Sequence, residues 1–523
     1  MKQKYDAIIV GTGAGGGAIG YALSKKSLKV LFIEKGLINK DQLSGDYAES
    51  FKSNNNDNIS WPEILKKSGR DFNQIIESNT QKYPFVGSGV GGSTALYGMA
   101  MERFIKNDFN PRGKTIYNEK SNLPKNGWPI KYDDLLPYYN KAEKLYKVKG
   151  TKDPLKDNEN FNYTSAPDIN KSNKELFNFF KNKNLNPYIL PRSCNFVDGC
   201  IECQGFLCPY NCKNDSYNTC INPAIENNGA EILSNAEAVR LLTNGNQIVG
   251  VECKIDNKII TKKADIYILA AGAIRTPAIL LKSKNNSFPE GLANSSGLVG
   301  KNLMRHCIDL FLIKTKNKPP KNGFLKEIAL NDYYSSYSEK RLGTFQSFGR
   351  IPSSKIILMN LIDDIFKNNN IKKVASIISL PIEKILDKAF SYTIAMNTII
   401  EDLPYLANSV SIDRYNSKPI VNYTLHVYEN QLIKEFRNKI SEVLKPLKFI
   451  MIKQAEDNKR LAHVCGTCRM GTDPKDAVVN ENCQSFIHKN LYIADASIFP
   501  TSGGTNPALT IIANALRIAD NIS

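Results

Sequence analysis

Residues 6–36 read DAIIVGTGAGGGAIGYALSKKSLKVLFIEKG. A short apolar run, Ala7 to Val10, stops at glycines. A helical pattern follows through Leu23, and a second apolar run, Val30 to Ile33, is closed by Glu34. This is the order of a β-α-β unit that holds a dinucleotide. Gly11, Gly13 and Gly16 fit G-x-G-x-x-G: the first permits a tight turn, the second lets the backbone approach a pyrophosphate, and the third lets helix and strand pack closely. The helix N-terminus offers free N–H groups and a partial positive charge to phosphates. Glu34 stands where a carboxylate accepts hydrogen bonds from a ribose.

The chain has 523 residues, more than one core accommodates, so two or more domains are expected. No apolar run reaches the roughly 18 residues of a transmembrane helix. The opening MKQKYDAIIVGTG enters the first strand at once, from which we expect no signal peptide, a cytoplasmic location and reduced thiols. The formal net charge is +18, but lysine and asparagine are spread along the whole chain rather than gathered in one basic stripe. A nucleic-acid partner is therefore not expected; a weak peripheral attraction to anionic membranes stays open.

Residues 37–83 are polar and read as loops and short helices over the cofactor. Residues 84–104, PFVGSGVGGSTALYGMAMERF, are glycine-dense, and Gly91, Gly92, Ser93 and Gly98 suit backbone passing close to a flat ligand or a diphosphate. Asn126 to Lys147 reads as an amphipathic helix with Asp133 or Asp134 near its start. Ile221 to Asn228 reads as helix, and Glu231 to Leu242, Gln247 to Ile255 and Asp265 to Leu269 as strands. The last strand runs into Ala271-Gly272 and a helix from near Thr276-Pro277. Ser391 to Tyr423 holds strand-like runs. Lys367 to Phe390 is basic and partly amphipathic; it reads as a packing helix broken by Pro381, with a lid or membrane-surface element as the alternative.

The N-terminal unit with GVGGSTALYGM, the stretch GAIRTPAILLKS from Gly272 to Ser283, and HVCGTCRMGTDP followed by NLYIADASIFPTSGGTNPALTIIANALRIAD resemble the glucose-methanol-choline (GMC) family of flavin oxidoreductases. The motifs stand in the family's order over nearly the full length. The resemblance implies an α/β fold. A Rossmann-like FAD-binding domain made of 1–110, 216–309 and 456–523 would carry an inserted α+β substrate domain with an antiparallel sheet at 310–455, and a cap segment at 111–215. It adds Ala271, Gly272, Asp495, Ala496, Thr505 and Pro507 to the cofactor-contacting residues. It implies oxidation of an alcohol CH–OH, in a sugar, polyol or aliphatic alcohol, by hydride transfer to flavin N5. His463 would take the hydroxyl proton and Asn506 would help hold the substrate oxygen. Asn506-Pro507 also reads as a helix start, with Asn as N-cap and Pro at N1; that helix N-terminus would stabilise charge on the flavin. Two departures matter. Tyr97 stands where Asn is common, and Leu96 stands where some members carry the His that bonds flavin, so non-covalent FAD is expected. A NAD(P)-dependent reductase and an inactive flavoprotein scaffold are the rival classes. The electron acceptor is open between oxygen, a quinone and a protein; the cysteine-rich segment favours a dehydrogenase.

Five of the eleven cysteines lie between Cys194 and Cys212. Cys200, Cys203, Cys208 and Cys212 have the spacing C-x2-C-x4-C-x3-C, which suits an iron–sulfur cluster or zinc. Relatives with a three-iron cluster carry it on the spacing of Cys203, Cys208 and Cys212. The leading reading is nevertheless a structural loop of free thiols with no metal. Cys465 and Cys468 form C-x-x-C outside a thioredoxin-like setting and are not read as a redox dithiol.

Overall fold

Strand Tyr5–Val10, helix Ala14–Lys25 and strand Val30–Ile33 form the β-α-β unit in this computed structural model. The described residues are 4–38, 83–84, 86–110, 121–156, 159–208, 210–334, 341–350, 384–415, 417–456 and 460–522. The expected loops over the cofactor at 37–83 lie largely outside these residues, as does the 367–390 segment up to residue 383; residues 384–390 are helical.

The unit closes because its glycines leave no room for anything else. A Cβ on Gly16 would lie 2.1 Å from Gly11 O, and one on Gly11, at φ +102, would lie 2.3 Å from Ala270 O. Ala7, Ile8, Ile9 and Phe32 are wholly buried, and full burial of each large apolar side chain contributes about 1.5–3 kcal/mol. Five parallel strands follow the order Leu491–Ile493, Ala264–Leu269, Tyr5–Val10, Val30–Ile33, Glu231–Leu233. The sheet is thus assembled from three distant stretches of chain. The Ala14–Lys25 helix packs against the C-terminal helix Ala508–Asn521.

A second sheet has six antiparallel strands, in the order Phe449–Ile452, Leu310–Lys314, Thr393–Ile399, Thr344–Gly349, Ile328–Leu330, Tyr188–Ile189. Its side chains alternate between two faces, with one register shift between Ser347 and Gly349. Phe311, Ile313, Phe345, Ile394 and Met396 pack with Leu432, Ile433, Phe436 and Ile440 of the Val427–Leu444 helix. Gln346, Phe348, Asn397 and Ile399 take the opposite face, towards a cavity. The expected mixture of a parallel sheet and a separate antiparallel one is what the chain forms.

Three details differ from the sequence reading. Glu231 to Leu242 is two strands, not one: Glu231–Leu233 joins the parallel sheet, and Glu237–Asn244 opens a meander with Gln247–Ile255 and the unanticipated Lys258–Lys262. The helix expected near Thr276 starts at Gly272 and contains Pro277. It tolerates the proline because the Ala273 carbonyl, which Pro277 cannot bond, accepts from Thr467 Oγ1 at 2.6 Å. Within Ser391 to Tyr423, Ser409–Ile412 and Pro419–Asn422 form their own ribbon instead of extending the six-stranded sheet. No helix among the described residues is long and apolar enough to cross a membrane.

Candidate active site

One cavity of about 480 Å³ runs from the glycine turn to the face of the antiparallel sheet that carries Gln346 and Asn397. At the first end it is lined by Gly11, Thr12, Gly13 and Glu34. A Cβ placed on Gly13 would have nothing within 4 Å, so its missing side chain leaves cavity rather than a packed contact. Glu34 is held by three donors: Thr12 Oγ1 at 2.6 Å and Thr12 N at 3.2 Å on Oε2, and Gly36 N at 2.9 Å on Oε1. Fixed in this way, the carboxylate keeps lone pairs for a ribose. The open glycine, the helix N-terminus behind it and the anchored acid fit a dinucleotide.

Gly92, Ser93, Gly98, Ala271, Gly272, Asp495, Ala496, Asn506 and Pro507 also line this cavity. Gly16, Gly91 and Thr505 do not. Gly16 packs on the turn, and Gly91 N donates to Thr12 Oγ1 at 3.2 Å. Asp495 is less free than the sequence suggests. Its oxygens accept from Gly272 N at 2.8 Å, Thr276 Oγ1 at 2.5 Å and Ser497 N at 2.8 Å, tying one helix start to a strand end. Tyr97 donates to Asn214 O at 2.6 Å.

His463 sits where the strand Arg460–Cys465 bulges against Met304–His306: the register shifts between the pairs Met304–Cys465 and His306–Ala462. Its φ of +55 is a conformation that non-glycine residues avoid, and such strain clusters at functional sites. The bulge brings its Nδ1 to 2.9 Å from His306 Nδ1. His306 Nε2 faces two carbonyls, Ser502 O at 3.0 Å and Gly503 O at 2.9 Å. Carbonyls only accept, so His306 carries its hydrogen on Nε2 and its Nδ1 is an acceptor. His463 must therefore donate from Nδ1, which leaves the lone pair on its Nε2. Burial pushes His306 down to about 4, against the two carbonyl hydrogen bonds, which raise it. Burial, with His306 and Lys326 beside it, holds His463 well below the usual histidine range. Both rings are neutral near pH 7.

Asn506 corrects one expectation. The Ala508–Asn521 helix has Pro507, not Asn506, as its cap residue and no side-chain cap. The Asn506 Oδ1 is buried with no hydrogen-bond partner, on a residue that lines the cavity. The uncapped first turn, with Pro507 and Ala508 on the cavity wall, directs its N–H groups there.

Sequence reasoning missed His306, Lys326, Gln204, Gln346 and Asn397, which line the same cavity. The cysteines that crowd most closely are not the three whose spacing suggested the cluster alternative. Among the described residues, the sulfurs lying within 4.8 Å of one another are those of Cys194, Cys200 and Cys212, not Cys203, Cys208 and Cys212. Cys212 Sγ is 3.4 Å from Cys200 Sγ and 3.2 Å from Cys208 Sγ. This loop braces the cavity: Cys194, Cys200 and Cys212 pack on Met99, and Glu202 Oε1 accepts from the backbone of Leu325 and Lys326 at 3.0 and 2.8 Å. Cys465 and Cys468 are buried free thiols.

Known proteins share this fold. Family models described as GMC oxidoreductase match residues 5–308 and 426–515. A 6'''-hydroxyparomomycin C oxidase of Streptomyces lividus is 25% identical, over 100% of this chain and 92% of its own length. A 2-methyl-1,2-propanediol dehydrogenase of Mycolicibacterium austroafricanum is also 25% identical, over 100% of this chain and 95% of its own. The fold superimposes on a pyridoxine 4-oxidase from Mesorbium loti with a TM-score of 0.63 at 18% identity, covering 99% of both chains. With the match spanning both halves of the cavity wall, this chain belongs to the GMC oxidoreductases, FAD-binding enzymes that oxidise CH–OH groups.

Proposed function

We propose that His463 is the base of this oxidation and that FAD is held without a covalent bond. Bound FAD supplies the hydride acceptor. The observation that carries the reading is the paired imidazoles: His306 accepts from His463 Nδ1 and so keeps Nε2 unprotonated on a residue that lines the cavity. His463 Nε2 takes the proton of the substrate hydroxyl as the C–H bond is broken. The resulting charge is spread towards His306 through the Nδ1–H bond. Asn506 holds the substrate oxygen with its free carboxamide. Gly13, Glu34 and the Ala14–Lys25 helix N-terminus hold the dinucleotide half, and Gly92, Ser93, Gly98, Ala271, Gly272 and Ala496 line its path. Leu96, a side chain with no nucleophile, lines the cavity as well, in keeping with non-covalent attachment. The two enzyme relatives are named for an oxidised alcohol or diol, which supports a small alcohol or sugar as substrate.

The cysteine loop is read as free thiols. Cys194, Cys200 and Cys212 are buried and pack on Met99 as an apolar cluster, the setting of small hydrophobic free thiols.

The test is an absorption spectrum of the purified protein, followed by anaerobic reduction with alcohols and sugars in the parent and in His463→Ala. Flavin that stays bound but is reduced at the parental rate in His463→Ala refutes the assignment.

A further inference from the structure

Four carboxamides on the cavity wall have an oxygen that is buried without a hydrogen-bond partner: Gln204 Oε1, Gln346 Oε1, Asn397 Oδ1 and Asn506 Oδ1. Gln346 and Asn397 oppose each other directly across the Thr344–Gly349 and Thr393–Ile399 strands. Their side chains share one face, with Cβ atoms about 4.5–5.5 Å apart. Phe348 and Ile399, each two residues along, line the same face. Gln204 reaches it from the cysteine loop, its Oε1 lying 3.2 Å from the position of a Cβ on Gly349. Lys326 joins from the side. Its Nζ is 3.1 Å from the position of a Cβ on Gly98 and donates a long hydrogen bond, 3.5 Å, to Phe348 O.

A buried acceptor with no donor is costly, and a cavity lined by four carboxamides with such oxygens suits a ligand that brings donors. A carboxamide donates and accepts, as a hydroxyl does; an alkyl chain does neither. The charge pattern narrows the ligand further. The acidic side chains lining the cavity, among the described residues, are Glu34, Glu237 and Asp495. Glu237 pairs with Lys35 at 3.7 Å and Arg275 at 3.6 Å, Glu34 holds the glycine turn, and Asp495 is engaged by Gly272, Thr276 and Ser497. An ammonium group on the substrate would meet Lys326 and find no free carboxylate.

We propose that the substrate is a sugar or polyol without an ammonium group. Gln204, Gln346 and Asn397 read its secondary hydroxyls, Phe348 covers a carbon face, and Lys326 donates to one of its oxygens. This rests on the CH–OH oxidation reading and excludes long-chain alcohols and amino sugars as the preferred class.

The holoenzyme is mixed anaerobically with D-glucose, sorbitol, myo-inositol, glucosamine or 1-octanol, and flavin absorbance at about 450 nm is followed. At least one of the first three is expected to show kcat/KM about tenfold or more above glucosamine and 1-octanol. Gln346→Leu and Asn397→Leu should each raise KM for that compound about tenfold, the scale of one lost hydrogen-bonding group, while kcat moves little. At one fixed concentration, near the parent's KM, the same compound should raise the Tm of the parent holoenzyme clearly more than that of Gln346→Leu. Gln204→Met, at a half-buried position, repeats the KM test should either leucine variant misfold. Preference for 1-octanol or glucosamine, or unchanged KM in the folded variants, overturns the polyol assignment and leaves alcohol oxidation intact. Bound flavin that no compound reduces overturns both.

Discussion

Replacing His306 separates its two hydrogen-bonding jobs. Asn places its Oδ1 where His306 has Nδ1, so His306→Asn keeps an acceptor for His463 Nδ1–H. Gln instead places an amide where Nε2 lies, so His306→Gln keeps a donor for Ser502 O and Gly503 O and loses the acceptor. The bond at stake is a single 2.9 Å contact between His463 Nδ1 and His306 Nδ1. A net hydrogen bond is worth about 0.5–1.5 kcal/mol. At about 1.4 kcal/mol per factor of ten, removing it lets His463 drift towards the Nε2–H tautomer and lowers the reactive fraction by roughly twofold to tenfold. Removing the base itself costs far more, about 10²–10⁴-fold. The expected order of anaerobic flavin-reduction rates at saturating substrate is therefore parent, then His306→Asn close behind, then His306→Gln several-fold lower, then His463→Ala lower by orders of magnitude. Flavin content should stay at the parental level in all four, since neither histidine belongs to the dinucleotide end. Equal rates in the Asn and Gln variants, or a His306→Gln rate equal to the parent's, would show that the acceptor at Nδ1 does not set the state of His463.

Gly13→Val should fold but lose flavin, because its side chain enters cavity rather than backbone, whereas Gly16→Val should fail to fold, with Gly11 O 2.1 Å from its Cβ; flavin content and circular dichroism of the two variants distinguish these outcomes. The kcat/KM profile should be flat through pH 6.5 and fall only below it, because His463 and His306 are both depressed and lose their basic form later than an ordinary histidine. Burial brings Lys326 down to about 8, opposed by nearby Glu202 and aided by Arg192, so an alkaline limb near that pH is expected in the parent and should vanish in Lys326→Gln. Acid precipitation should release yellow flavin into the supernatant; colour in the pellet would mean a covalent link. Iron and zinc analysis of anaerobically purified protein should find less than one metal per chain, and three irons would replace the free-thiol reading with a cluster.

The glycine turn was legible because its constraints are local. Gly11, Gly13 and Gly16 act within one turn and one helix, and the residues that bury against them lie in the neighbouring strands. Motifs single out His463 and Asn506, and both line the cavity, although no motif reveals their surroundings. Asn506-Pro507 reads as an N-cap followed by Pro at N1; the structure instead buries the Asn506 Oδ1 without a partner and leaves the cap position to Pro507. The helix at Gly272 started earlier than Pro277 suggested because the carbonyl that the proline strands is met by Thr467, a residue far along the chain that no local pattern reveals.

His306 was illegible for the same reason on a larger scale. It lies 157 residues from its partner, between Arg305 and Asp309 in a stretch where the sequence suggests no element, and the contact forms where a bulge shifts the register opposite His463. Asn397 did carry a signal. It is a carboxamide in the middle of TIAMNTI, a strand in which all seven residues are buried. A polar side chain at a position that packing would fill with Val or Ile opposes the local pattern, and such conflicts concentrate at functional sites. Gln346, in TFQSFG, opposes it in the same way on the neighbouring strand. Each residue alone reads as a weak strand position. Paired across the ladder, with their oxygens unpartnered, they mark the wall where this oxidoreductase meets its substrate.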